Sequence, residues 1–281
     1  MELFNFSADE SRRIHRALTF IAKRELDFDP LSARTLVVKT DNYEDACQEA
    51  ARYYPALGLE SGNARLVFNS AKEGFHKILV NKAAIDGLSY LFTLVTELVH
   101  LGNLSRYNAD HGNIYRLEAE KAIADHYYEF LLWSKFQAMK IATRVHALMA
   151  WHEVNGEASP EGGRYQFAQV AFPGEELDAA LHTIRQAESI AVWREGFWEL
   201  LEALSLYLGC LAFYQHEPRP AELDEQFPAT LIEETVGLEH CLSLYAALLV
   251  AKDYPGWIAE KRNIRRAIVA MQEQGKQRLD P

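Results

Sequence analysis

The chain has 281 residues, with 29 Lys and Arg against 40 Asp and Glu, a formal net charge of −11. Hydrophobic residues make up 49% and charged residues 25%, ample material for a core, so a globally disordered chain is excluded. The acidic surplus argues against a nucleic-acid partner, because phosphate binding takes a basic surface.

Three cysteines, Cys47, Cys210 and Cys241, are far apart and form no C-x-x-C pair, so neither a disulfide framework nor a zinc ribbon is supported. Each reads as a small buried hydrophobe. The first residues lack an apolar leader and a small-residue cleavage site. The most apolar stretch, Gly196 to His216, contains Glu199 and Glu202, so it reads as a buried helix and not a membrane span. The expectation is a cytoplasmic protein with no membrane partner.

In chain order, residues 7–25 have a helical pattern, with Ser7 and Asp9 as caps and Ile14, Leu18 and Ile21 at helical spacing. Leu36 to Lys39 is a short strand, and Asn42 to Tyr54 a helix stopped by Pro55 and Gly58. Arg65–Phe68 and His76–Val80 read as two strands of a hairpin, joined by turn formers. A helix is expected from Asp86-Gly87 to Leu101, stopped by Gly102-Asn103, then a polar loop with Asn108, Asp110, Gly112 and Asn113. A long second helix is expected over about 115–154. Further helical segments at 175–194, 197–216, 229–252 and 257–274 are separated by Gly and Pro, including Pro255-Gly256. Asn155 to Gly163 is the best linker, so the chain divides into an α+β domain at 1–154 and a helical domain or subdomain at 155–281. The fold class is α+β, predominantly helical.

One motif carries chemistry. Thr96-Glu97-Leu98-Val99-His100 lies on the first long helix. In an H-E-x-x-H zinc helix, histidines at i and i+4 share a helix face and bind Zn²⁺, and the Glu serves as general base for the bound water. Glu97 and His100 stand in the base and second-ligand positions, whereas Thr96 replaces the first His. A threonine hydroxyl stays protonated near neutral pH and is a poor zinc ligand. The plain alternative is a helix surface or a satisfied polar pair in a core.

With strands before it and a second helix after it, the motif resembles the H-E-x-x-H metallopeptidase-like (zincin) proteins of phages and mobile elements, including the ImmA/IrrE-type group. The resemblance covers about residues 60–150, an estimate from element order. It implies a zincin-like N-terminal half, with a small sheet, the motif helix and a second long helix, followed by a helical C-terminal part. It also implies a third ligand from the second helix. Glu120, twenty positions after His100, has a spacing similar to thermolysin-like gluzincins, and Glu129 lies further along, with His126 one turn before it. Trp133-Ser134-Lys135-Phe136-Gln137-Ala138 resembles a W-S-E-F-x-A pattern of such proteins, in which the Glu would be the ligand. Lys135 would then hold the ligand position with an ammonium that has no free lone pair, and could pair with Glu97 in the cavity left by the metal. A solvated surface lysine is the plainer reading of Lys135. Glu118 to Lys121 reads most simply as an exposed charged face, and His126 as packed among aromatics. A different metal arrangement would use His100, His111 and a carboxylate.

Three functions follow. The favoured one is a degenerate zincin, a pseudopeptidase without cofactor that binds a protein or peptide. The second is a zinc-dependent peptidase or hydrolase with Glu97 as base and His100 plus one of Glu120, His126 or Glu129. The third is a helical adaptor in which the motif is coincidental. The aromatic helices also allow a homo-oligomer.

Overall fold

The computed structural model describes residues 1–22, 34–54, 59, 63–70, 75–85, 89–112, 114, 126–156, 174–214 and 227–277. It packs as two compact units, Met1–Asp125 with Ile141–Val170, and His126–Lys140 with Ala171–Pro281. The expected boundary at 154/155 follows the chain linearly. In the structure the helix Tyr127–Asn155 is shared, its first part packing with the second unit.

The first unit holds a four-stranded sheet. Its strands are β1 (Glu2–Phe4), β2 (Thr35–Thr40), β3 (Ala64–Val67) and β4 (His76–Asn81), in the order β1-β2-β4-β3. β1 and β2 are parallel with Leu3 opposite Val37, β2 and β4 are parallel with Val37 opposite Ile78, and β3 closes the hairpin with Leu66 opposite Ile78. The β-branched and aliphatic residues of β2 and β4 suit a buried pleat, and Val37 and Ile78 are fully buried. β1 was not expected from sequence. Three residues carry too little pattern, and β1 exists through its pairing with β2. Across the hairpin the Asn69 N–H donates to His76 Nδ1 at 3.1 Å, and Phe68 stacks on the imidazole at 4.8 Å. Burial pushes the His76 pKa down, which keeps Nδ1 available as an acceptor.

α1 (Ala8–Ala22) opens with a capping box. The Glu10 N–H donates to Ser7 Oγ at 3.2 Å, and the Ser7 N–H to Glu10 Oε2 at 2.7 Å. Lys39 at the end of β2 reaches the same carboxylate at 2.8 Å. That ammonium, with the Ser7 N–H, lowers the Glu10 pKa to about 2. Ile14, Ala17 and Leu18 form the buried stripe. α2 (Tyr43–Ala51) packs on β4.

α3 (Ser89–His111) carries the motif and packs on β3 and β4. The expected stop at Gly102-Asn103 does not occur. Leu104 and Tyr107 continue the buried face, and tertiary packing outweighs the roughly 1 kcal/mol that a helical glycine costs. The glycine stop lies at Gly112, whose φ of 87° is left-handed and whose N–H bonds the Asn108 carbonyl at 2.9 Å. Asn108 and Asp110, expected in a loop, are therefore helical.

In the second unit the start of α4 (Tyr127–Asn155) packs with α5 (Gly174–Arg185), α6 (Ile190–Tyr214), α7 (Ala229–Thr235), α8 (Leu238–Val250) and α9 (Tyr254–Gln277). The expected single segment 229–252 is broken at Gly237, whose φ is 84°. The expected breaker Pro255-Gly256 instead lies in the first turn of α9. Proline is tolerated there, and Asp253 Oδ1 caps the Gly256 N–H at 2.8 Å. Trp133 Nε1 and Gln137 Nε2 both donate to the Ala251 carbonyl at 2.7 Å. Phe130, Trp133 and Tyr254 gather around Trp257 at centroid distances of 5.4, 6.0 and 5.3 Å. Among the described residues, Ile190–Phe213 is the one helix long and apolar enough to cross a membrane, and 72% of its apolar window is buried.

The paired positions 128 with 198, 135 with 202 and 136 with 209 ascend together, so α4 and α6 run parallel here. Gly209 permits the approach. A Cβ there would sit 2.5 Å from the Phe136 carbonyl oxygen and 2.9 Å from Met139 Cβ. At Gly196, also in α6, the nearest atom would be Thr183 Cγ2 at an ordinary 3.4 Å. Gly209→Ala is therefore expected to destabilise by about 1–3 kcal/mol despite the gain in helix propensity, and Gly196→Ala to be neutral or stabilising by up to about 1 kcal/mol. Urea unfolding of the two variants measures this, and equal effects would contradict the packing described.

Candidate functional site

The motif sits on the buried side of α3. Glu97 is 0% exposed and His100 2%, among Leu94, Leu98, Leu101 and Leu104. A helix this apolar is buried on most of its circumference, so residues three apart such as Glu97 and His100 can both enter the core. Thr96, half-buried, turns its hydroxyl back along the helix and donates to the Phe92 carbonyl at 3.0 Å. Such back-bonding satisfies the hydroxyl within its own turn.

Glu97 acts electrostatically on Tyr43 of α2, on which Arg65 of β3 also acts. Arg65, a buried charge in an otherwise apolar strand, donates from one guanidinium nitrogen to the Cys47 carbonyl at 3.0 Å and from the other to the Tyr54 carbonyl at 3.1 Å. It thereby ties β3 to α2 and the turn after it. The Tyr43 phenol lies in the same cluster. Its pKa is raised, first by burial, then by its hydrogen bond with Cys47 and the Cys47 charge, and then by the negative charge of Glu97, while the Arg65 cation opposes the rise. Tyr43, Cys47, Arg65 and Glu97 thus share one electrostatic environment. Sequence reasoning did not find Tyr43, Cys47 or Arg65 as partners of the motif. The available signal was the lone arginine in the apolar run Ala64-Arg65-Leu66-Val67.

The remaining candidates are dispersed. His111 is exposed at the end of α3, stacks on Tyr107 at 4.2 Å, and its Nδ1 lies 3.1 Å from the Tyr107 carbonyl. Because the helix continues past residue 101, eleven residues separate His100 from His111, about 16 Å along the axis. The expected His100–His111 metal arrangement is ruled out by that rise. Glu120 lies outside the described residues. His126 stands at the turn before α4, its carbonyl accepting the Phe130 N–H at 3.1 Å. Glu129 is buried in the second unit, and its Oε1 accepts from Arg265 Nε at 2.6 Å. Lys135, expected to pair with Glu97 or to be solvated, is buried and pairs with Glu202 at 2.9 Å.

Among the described residues, the donor set at the motif does not fit a zinc ion. The first ligand position holds a hydroxyl already committed to a helix carbonyl, and Glu129 is held by a guanidinium. Among the described residues no three His, Cys, Asp or Glu side chains are grouped to hold a metal. The arrangement instead buries a carboxyl group and a guanidinium in one part of the core, where both act on the Tyr43 phenol. Comparison with known protein families, curated proteins and solved structures finds no match for this chain.

Arg65→Met removes two charge-assisted hydrogen bonds and the cation beside the buried cluster. It is expected to destabilise by about 2–4 kcal/mol, and Glu97→Gln by less, since the amide keeps its shape and needs no counter-charge. Denaturant unfolding at neutral pH checks both. Losses under about 0.5 kcal/mol in each variant, the usual range for surface changes, would contradict the cluster.

Proposed function

We propose that this chain is a zincin-like protein without zinc-dependent hydrolysis that acts by binding a protein or peptide partner. The observation that carries the reading is the fate of the motif. Thr96 spends its hydroxyl on the Phe92 carbonyl, and Glu97 is fully buried in the cluster with Tyr43 and Arg65. A general base in a zinc hydrolase works on a metal-bound water, which needs an open coordination position and at least three protein donors. Here the base position has become part of the packing that holds α2, β3 and α3 together. A hydrolase scaffold that keeps its helix and loses its ligand retains surfaces for recognition, and the acidic net charge suits a protein or peptide better than a nucleic acid.

Elemental analysis of the full chain, purified without chelators, tests the reading. The expected result is no stoichiometric zinc, and no proteolysis of an unfolded casein substrate when zinc is added back. One zinc per chain, with hydrolysis that disappears in Glu97→Gln, would overturn it.

A further inference from the structure

Two helix faces in the second unit remain open to solvent and are complementary in charge. On α6, Glu195 and Glu199 are exposed, and Trp198 between them is half-buried. Tyr128 stacks on Trp198 at a centroid distance of 4.6 Å while staying 50% exposed. Residues at i, i+3 and i+4 share a helix face, so Glu195, with Glu199 one turn on, borders the aromatic pair, and among the described residues the exposed Arg194 is the one cation on that border. Among the described residues Glu195 and Glu199 have no ion pair. Their neighbour Glu202 is taken by Lys135.

On α9, Ile258, Arg262, Arg266 and Val269 recur at four, four and three residues and are all exposed. Two other cations of this helix are engaged. Arg265 holds Glu129, and Lys261 stands over the Trp257 ring at 5.7 Å. Arg262 and Arg266 have no ion pair among the described residues. Two unpaired arginines flanked by exposed aliphatics, in a chain of net charge −11, form a local basic stripe with an apolar rim.

We infer that these two faces are made for each other in separate molecules: the occupant of the acidic aromatic face is the α9 stripe of a second copy of this chain. Guanidinium groups pair with carboxylates and also stack on aromatic rings, so Arg262 and Arg266 can meet both Glu195/Glu199 and the Tyr128–Trp198 pair. Tyr, Trp and Arg are also the residues that concentrate binding energy at interfaces, and Ile258 and Val269 supply the apolar contact around them. A two-fold pair uses the contact twice and closes, whereas a head-to-tail arrangement continues. The inference concerns the second unit and does not rest on the zincin-like reading of the first.

Sedimentation velocity of the full chain tests it. The wild type is expected to sediment at twice the mass of one chain or more, and to weaken as salt is raised through the range that screens surface charge. Arg262→Glu/Arg266→Glu and Glu195→Arg/Glu199→Arg are each expected to weaken self-association at least about tenfold, with circular dichroism matching the wild type. An equimolar mixture of the two variants restores the opposite charges across the contact and is expected to recover the assembly. A wild type that stays a single chain up to about 1 mM, variants that associate as the wild type does, or folded variants that fail to recover on mixing would each overturn the inference. Should one double variant misfold, the single substitutions Arg266→Glu and Glu199→Arg, mixed in the same way, provide the decision.

Discussion

The structure of the first unit turns on placing the Glu97 carboxylate inside a hydrophobic helix packed against a sheet. Taking a carboxylate out of water costs several kcal/mol unless hydrogen bonds and an opposite charge compensate. Other polar groups are buried in the same part of the core. Arg65 stands in the middle of an apolar strand, and its guanidinium reaches across to α2 and the turn after it. Tyr43 lies where Glu97 and Arg65 pull its ionisation in opposite directions. The hairpin of β3 and β4 fixes the register that delivers Arg65, and the parallel pairing of β4 with β2 fixes the hairpin.

The second unit treats buried charge in the same way. Glu129 and Lys135 lie on the first turns of one helix, and each is neutralised by a different neighbour, Arg265 on α9 and Glu202 on α6. Paired in this way, the two charges help to fix which helices neighbour α4. The close packing at Gly209 and the shared Ala251 carbonyl act in the same place. Charges that would be liabilities singly become specificity devices when each has one partner, a role documented for some buried polar groups.

Much of the architecture was legible because it rests on local pattern. The alternating and β-branched runs at 36–39, 65–68 and 76–80 marked three of the four strands, and helical periodicity marked the long helices. What failed was punctuation. Gly102 carries the local signal of a stop, but the buried faces of Leu104 and Tyr107 carry the helix to His111, before Gly112. Pro255-Gly256 carries the local signal of a break, but Asp253 caps a helix that contains both. These are choices of packing and capping over propensity, which a local window cannot weigh. The site was legible in part for the same reason. Thr96, Glu97 and His100 are one helical turn, visible as spacing. Arg65 and Tyr43 come from elements thirty and fifty residues away in sequence, and no periodicity links them to the motif. Lys135 and Glu129 were drawn toward the motif by resemblance, while the structure gives each an ion pair within the second unit.

Glu97 and Arg65 are buried groups that act on the same phenol, Tyr43, and their burial in one cluster implies that they are coupled. A double-mutant cycle measures that directly, using the unfolding free energies of the wild type, Glu97→Gln, Arg65→Met and the double variant. The account predicts a coupling of at least about 1 kcal/mol, with the double variant more stable than the sum of the single losses implies, because removing both charges leaves neither one buried alone. Additivity within about 0.5 kcal/mol would contradict it, since independent sites behave in that way.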